Sequence, residues 1–191
     1  MGELAFALFD TAIGRCGIVW SGCGVAGVQL PAKGERATRS QVLRRFPAAR
    51  ESVPPLAVKR AIDDIAGLLK GEARELDHVA IDSEGVPDFH RHVYDVARGI
   101  RPGATLSYGD IAERLGDRNL ARDVAQALAQ NPTPLIVPCH RVLAAGGKMG
   151  GFSAPGGVQT KLRLLSIEGA QYGEPMLFDR LPWAAAGRRP A

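Results

Sequence analysis

Apolar residues early in the chain come in short β-favouring runs. "LAFALF" at 4–9, "CGIVW" at 16–20 and "VAGVQL" at 25–30 are separated by glycine-rich punctuation, which predicts antiparallel hairpins. The period then lengthens. A helix is expected over "TRSQVLRRF" at 38–46, with Thr38 or Ser40 near its cap. A longer helix is expected in "PPLAVKRAIDDIAGLLKG", where Leu56, Ile62, Ile65 and Leu69 recur at helical spacing. Pro55 suits its first turn and Gly71 would close it. "DHVAID" at 77–82 reads as a last strand, and the composition changes at "SEGVPD". The pattern describes an α/β domain over residues 1–86.

Beyond this boundary the pattern is mainly helical. "DFHRHVYDVARGI" carries Phe89, Val93, Val96 and Ile100 on one face, and "RPG" at 101–103 breaks it. "LSYGDIAERLG" opens with Ser107 and has Asp110 three residues on, a capping-box pattern, followed by Ile111, Ala112 and Leu115 as the buried stripe. Gly116 ends that helix. In "LARDVAQALAQN", Leu120, Val124 and Leu128 form a core stripe. Two helices joined by a tight turn make a helix-turn-helix pattern in a second domain, residues 87–175, with a tail at 176–191. Ala121, Ala125 and Ala129 form a further stripe, with Arg122 beside its start. Alanine there is either simply a good helix former or keeps one face slim enough to enter a groove.

Composition narrows the class. The chain is 46% hydrophobic and 23% charged, as ordinary globular proteins are. No apolar run approaches the roughly 18 residues of a membrane span, so no membrane role is expected. The opening "MGELAFALFD" is apolar but acidic and reads as a strand, not a signal peptide. Cys16, Cys23 and Cys139 are an odd set without framework spacing, which fits a reduced, cytoplasmic location. The net charge is +4, with 11 Lys/Arg against 11 Asp/Glu in residues 1–84 and 10 against 7 in residues 85–170. That mild bias alone argues only weakly for nucleic acid.

The chemistry gathers in "NPTPLIVPCHRVLAAGGKMGGFSAPGG", residues 131–157. Leu135, Ile136 and Val137, between Pro134 and Pro138, are expected as a short buried extended segment. Cys139 then stands against His140. It is either a buried thiol packing as a small hydrophobe or a nucleophile beside its base. Neighbours on an extended chain face opposite ways, so His140 takes the thiol proton directly only if the chain turns here; otherwise a water relays it. The glycine pairs that follow predict a loop shaped around something. "VQTKLRLLSIEGA" then forms a helix ending in Glu168 and Gly169. A carboxylate there is usually just solvated, but it can return to orient His140.

Together "SYGDIAERLG", "NPTPLIVPCHRV" and "GGFSAPGG…TKLRLLSIEGA" resemble the O6-alkylguanine-DNA alkyltransferases, the methylated-DNA–protein-cysteine methyltransferases. The likeness is dense over 89–170 and looser in 5–30. It implies a ribonuclease H-like N-terminal α/β domain and a winged-helix-like C-terminal domain. It further implies Cys139 as alkyl acceptor, His140 as its base through a water, Glu168 as the carboxylate holding His140, and Asn131 as a hinge. On the DNA side it implies Arg122 as a finger filling the place of a flipped guanine, with Ala121 and Ala125 on a recognition helix in the minor groove. Tyr108 is implied as the group near the guanine and its phosphate that protonates the leaving base. Val142, Phe152 and Ser153 are implied to line the guanine pocket. The reaction implied is one irreversible transfer from O6-alkylguanine by a monomer acting on double-stranded DNA without a cofactor; whether O4-alkylthymine also reacts stays open at this level.

Several positions depart from that pattern. Phe152 stands where many members have tyrosine, Ala125 replaces a frequent glycine, and two residues are added around "SAPGG". Cys16 and Cys23 lack CxxC spacing and no histidine precedes His78, so no metal is expected. Two other classes stay open at this level. A DNA-binding alkylation sensor would signal through a methylated cysteine, but the chain shows no added regulatory domain. A Cys–His hydrolase would need an N-terminal part unlike this one.

Overall fold

The computed structural model describes residues 2–172; the expected tail at 176–191 lies outside the described residues. Three strands, β1 (Ala5–Thr11), β2 (Gly14–Ser21) and β3 (Gly24–Gln29), form the antiparallel hairpins expected, and Ala5 pairs with Trp20 at the far end of the first. A fourth strand, β4 (Arg50–Glu51), joins parallel to β1 and completes the order β3-β2-β1-β4. Helix α1 (Glu35–Arg45) lies close on the sheet because glycines line its seat. A Cβ on Gly17 would come 2.7 Å from Val42, and one on Gly27 would come 2.4 Å from Phe46.

Three local expectations are corrected. Helix α1 begins at Glu35 after Gly34 at φ 94, and neither Thr38 nor Ser40 caps it. Thr38 is buried, and its hydroxyl accepts from the Ala32 amide while donating to the Gly34 carbonyl. Helix α2 (Leu56–Leu68) starts after Pro55 as expected, but Leu56 is exposed; Val58, Ala61, Ile65 and Leu68 form its buried face. Residues 77–82 make only an isolated bridge, Ile81 with Val25, instead of a strand. The Arg98 guanidinium takes up the carbonyls of Leu76, Asp77 and Val79, so these groups need no neighbouring strand.

The second half packs α3 (Asp88–Arg98), α4 (Tyr108–Arg114) and α5 (Ala121–Ala129) around Val93, Ala97, Ile111, Val124 and Ala127. The Tyr94 hydroxyl donates to the Ala127 carbonyl at 3.0 Å, tying α3 to α5. The capping box forms: Asp110 N–H donates to Ser107 Oγ and Ser107 N–H to Asp110 Oδ2. Such a cap is worth about 1 kcal/mol and fixes where α4 starts. A short turn, Arg118–Leu120, leads into α5, so the helix-turn-helix pair exists. Strand β5 (Leu106–Ser107) pairs parallel with β6 (Val142–Leu143). That pairing brings Tyr108, the first residue of α4, beside the segment carrying Cys139.

The halves share a core. Leu135, Ile136 and Leu164, the last from helix α6 (Val158–Ile167), pack with Ile18, Val28, Leu30 and Ile65 of the N-terminal half. The Val28 amide also donates to the Pro132 carbonyl at 2.9 Å.

Candidate active site

The segment before the cysteine turns instead of extending, which corrects the sequence reading of residues 135–137. Leu135 has φ 77, the one non-glycine residue in the left-handed region among the described residues. The Val137 amide donates to the Thr133 carbonyl at 2.9 Å and closes the turn. A leucine in that conformation costs of order 1 kcal/mol or more. Burial of Leu135 and Ile136 in the shared core holds it there, and so does Asn131. The Asn131 side-chain amide donates to the Val137 carbonyl at 2.8 Å, while its oxygen accepts the Thr133 amide at 2.9 Å.

The chain keeps turning through a single 3₁₀ turn, Cys139–Arg141. Cys139 and His140 are therefore not on opposite faces of a strand. Asn131 also donates to Cys139 Sγ at 3.3 Å. Cys139 is buried, and loss of water pushes its thiol pKa up. The Asn131 hydrogen bond and the charge of Lys161 oppose that rise. At rest the thiol is protonated, and it needs a base.

His140 has the form of one. Its side chain is fully buried, and desolvation lowers its pKa despite the carboxylate beside it, so the ring is neutral. Nε2 lies 2.8 Å from Glu168 Oε1. Because a carboxylate only accepts, the proton is assigned to Nε2 and Nδ1 keeps its lone pair. Nδ1 is buried and has no partner among the described residues, which leaves it available to a proton. Glu168 itself caps the C-terminus of α6. Burial would raise its pKa, but hydrogen bonds from His140 and from Arg141, at 2.9 and 2.8 Å, outweigh burial and hold it at about 2. The carboxylate is thus a fixed negative charge behind the imidazole.

Lys161 was not singled out by its sequence context, where it reads as one more cation on an amphipathic helix. It is fully buried, and its ammonium donates to the Val142 carbonyl at 2.5 Å. It also stands 6.0 Å from the centre of the Tyr108 ring. A buried cation favours the thiolate over the thiol at Cys139. Burial raises the pKa of Tyr108, and any negative charge on Cys139 raises it further, so the phenol keeps its proton.

A cavity of about 380 Å³ brings Tyr108, Ala125, Cys139, Phe152 and Ser153 together with Leu128 and Ala129 of α5. Val142 stands apart from that wall: it is buried in β6, and its carbonyl is taken by Lys161. Arg122 and Ala121 lie at the start of α5, with Arg122 exposed. A Cβ on Gly150 would sit 2.8 Å from the Tyr108 hydroxyl, so the glycine-rich loop presses directly on that ring. Among the described residues no group of three or more His, Cys, Asp or Glu is placed to hold a metal, and no helix is long and apolar enough to cross a membrane.

Comparison with known proteins agrees with this geometry. The family model for the DNA-binding domain of 6-O-methylguanine DNA methyltransferase matches residues 88–170. The methylated-DNA–protein-cysteine methyltransferase of Methanothermobacter thermautotrophicus is 36% identical over 153 residues, covering 80% of this chain and 78% of its own. The Mycobacterium bovis protein of the same name is 40% identical over 114 residues, 60% of this chain and 67% of its own. Among solved structures, Mycobacterium tuberculosis OGT in complex with DNA superposes with a TM-score of 0.69 at 31% identity, covering 86% of this chain and 92% of that one. With the buried Cys–His–Glu constellation in place, these likenesses identify the chain as a member of the methylated-DNA–protein-cysteine methyltransferase family.

Proposed function

We propose that this protein repairs DNA by moving the alkyl group of O6-alkylguanine onto Cys139, once and irreversibly. The observation that carries the reading is a buried thiol at the edge of a cavity, with a neutral histidine next in the chain and a fixed carboxylate behind that histidine. His140 accepts the thiol proton at Nδ1, through a water, and Glu168 stabilises the imidazolium that forms. The thiolate attacks the alkyl carbon, the C–O bond breaks, and its electron pair leaves with the guanine. Tyr108 gives that base a proton. The product thioether offers water no leaving group, so nothing restores the thiol.

O6 lies inside the base stack, so the nucleotide must leave the helix to reach a buried sulfur. Flipping costs a few kcal/mol. In this reading Arg122, exposed on the first turn of α5, offsets part of that cost by filling the vacated place. Ala121 and Ala125 let the helix approach the minor groove closely. Asn131 is the hinge between α5 and the nucleophile turn, Phe152 and Ser153 shape the guanine pocket, and Val142 acts on it from behind. The finer architecture we assign is a ribonuclease H-like unit over 1–86, supported by the strand order β3-β2-β1-β4. A winged-helix-like unit follows from 87, supported by α4 and α5. We further assign a monomer acting in the cytoplasm, consistent with three free thiols.

The test is peptide mass mapping after incubation with duplex DNA carrying O6-methylguanine. The methyl group is expected on Cys139 in a one-to-one yield. Label on Cys16 or Cys23, or turnover beyond one equivalent, would overturn the assignment. A protein that only senses alkylation would instead show a strong preference for one undamaged sequence.

A further inference from the structure

Cys139 borders a second cavity, larger than the first at about 530 Å³. Pro134 and the loop residues Phe152–Pro155 wall it near the sulfur, and it reaches across to the N-terminal half, where Gln41, Arg44 and Arg45 line it. These three stand at i, i+3 and i+4 on α1 and so share one face of the helix. Arg45 stretches along the cleft toward the carbonyls of Val28 and Pro132, 3.4 Å from each. Among the described residues neither Arg44 nor Arg45 forms an ion pair. Arg45 also lies over the Phe46 ring, 5.5 Å from its centre, which holds its side chain in place on this face. The cleft therefore begins at the acceptor sulfur and reaches two guanidinium groups without a charge partner.

A methyl group, no bigger than the roughly 30 Å³ share of one water, needs almost none of this space. We propose that the second cavity receives the body of long O6-substituents, and that Arg44 and Arg45 select those ending in an anionic group. This rests on the alkyl-transfer reading above. Guanine occupies the cavity beside Tyr108 while the substituent extends away from it, so the carbon bound to O6 lies between the two at Sγ. Transfer joins that carbon to sulfur as its bond to O6 breaks and the electron pair leaves with guanine. The thiol proton goes to His140, guanine takes a proton from Tyr108, and the carboxylate stays on the transferred chain throughout. Guanidinium groups pair with carboxylates by charge-assisted hydrogen bonds. The phosphates of bound DNA offer the same charge. The alkyl chain is favoured because Cys139 itself lines this cleft.

Free-base probes separate the two. O6-(4-carboxybenzyl)guanine and its neutral isostere O6-(4-carbamoylbenzyl)guanine carry no phosphate, and duplex O6-methylguanine serves as the control. The wild-type protein is expected to react about tenfold faster with the carboxylate than with the amide, the scale of a single charged hydrogen bond. In the double variant Arg44→Gln, Arg45→Gln that ratio should fall to near one, with methyl transfer from duplex DNA unchanged. Arg44→Lys with Arg45→Lys should keep part of the preference. A wild-type ratio near one overturns the inference. So does a double variant that slows methyl transfer from duplex DNA and leaves the ratio alone, because the arginines then serve the DNA backbone. If none of the three substrates labels Cys139, the alkyl-transfer reading itself has failed.

Discussion

Glu168→Gln isolates the charge behind His140. Glutamine keeps the shape and an acceptor oxygen, but the negative charge is gone. In the wild-type protein the Glu168 pKa falls from 4.5 to about 2. At about 1.4 kcal/mol for each tenfold change in proton affinity, that depression is worth about 3 kcal/mol of folding stability. The side chain is only 3% exposed, so little of this is lost to solvent screening. The folded pKa is depressed, so this stability is fully present above pH 4.5 and is lost as the pH falls through 2. By the same relation only about 1 kcal/mol of it remains at pH 3. At pH 7 the variant also leaves the Arg141 guanidinium buried opposite a neutral group, a loss in the same few-kcal/mol range. Chemical denaturation of both proteins between pH 7 and pH 3 reads the gap directly. It should be about 3 kcal/mol at neutral pH, on the order of 10 °C in Tm for a chain of this size, and should shrink by more than half by pH 3. A gap that stays constant across that range would refute the reasoning, since lost packing does not titrate. In the wild-type protein His140 contributes in the same direction: its folded pKa is lowered, so stability is lost as the pH falls below 6.5.

Three further outcomes are expected. Lys161→Met removes the donor to the buried Val142 carbonyl, which should cost about 1–3 kcal/mol. It should also move the pH midpoint of Cys139 alkylation by iodoacetamide upward; an unmoved midpoint would show that the ammonium does not act on the thiol. Gly150→Ala places a methyl 2.8 Å from the Tyr108 hydroxyl, so the ring or the loop must move, and transfer should slow several-fold with little change in Tm. Normal transfer by that variant would mean the contact between loop and ring is unimportant. Arg122→Lys keeps the charge but loses the planar fork, so it should slow repair of duplex DNA far more than reaction with free O6-benzylguanine; equal slowing would exclude a role at a flipped base.

Much of this was legible in the sequence. The three opening strands, the capping box at Ser107 and the helix ending at Glu168 rest on local patterns, and local patterns survive into the fold. The pairing of His140 with Glu168 was legible only through family resemblance, because 28 residues separate them and spacing alone cannot close that distance. The turn at Leu135 was hidden for a different reason. A leucine at positive φ runs against local preference, and distant packing together with Asn131 imposes it. Lys161 was missed because sequence does not distinguish a buried cation from a solvated one. The strand expected at 77–82 failed because a side chain, Arg98, took the carbonyls that a neighbouring strand would have used.

The shared core has a consequence for how the protein comes into being. The side chains that hold the nucleophile turn, Leu135 and Ile136, are seated among residues of the first three strands and α2. Those strands leave the ribosome long before Cys139 does, and domains generally fold in that order during synthesis. The socket is therefore waiting when the turn arrives. The second half made alone would lack that socket for Leu135 and Ile136. Reactivity is the last property the growing chain acquires, which suits a molecule whose single chemical act cannot be repeated.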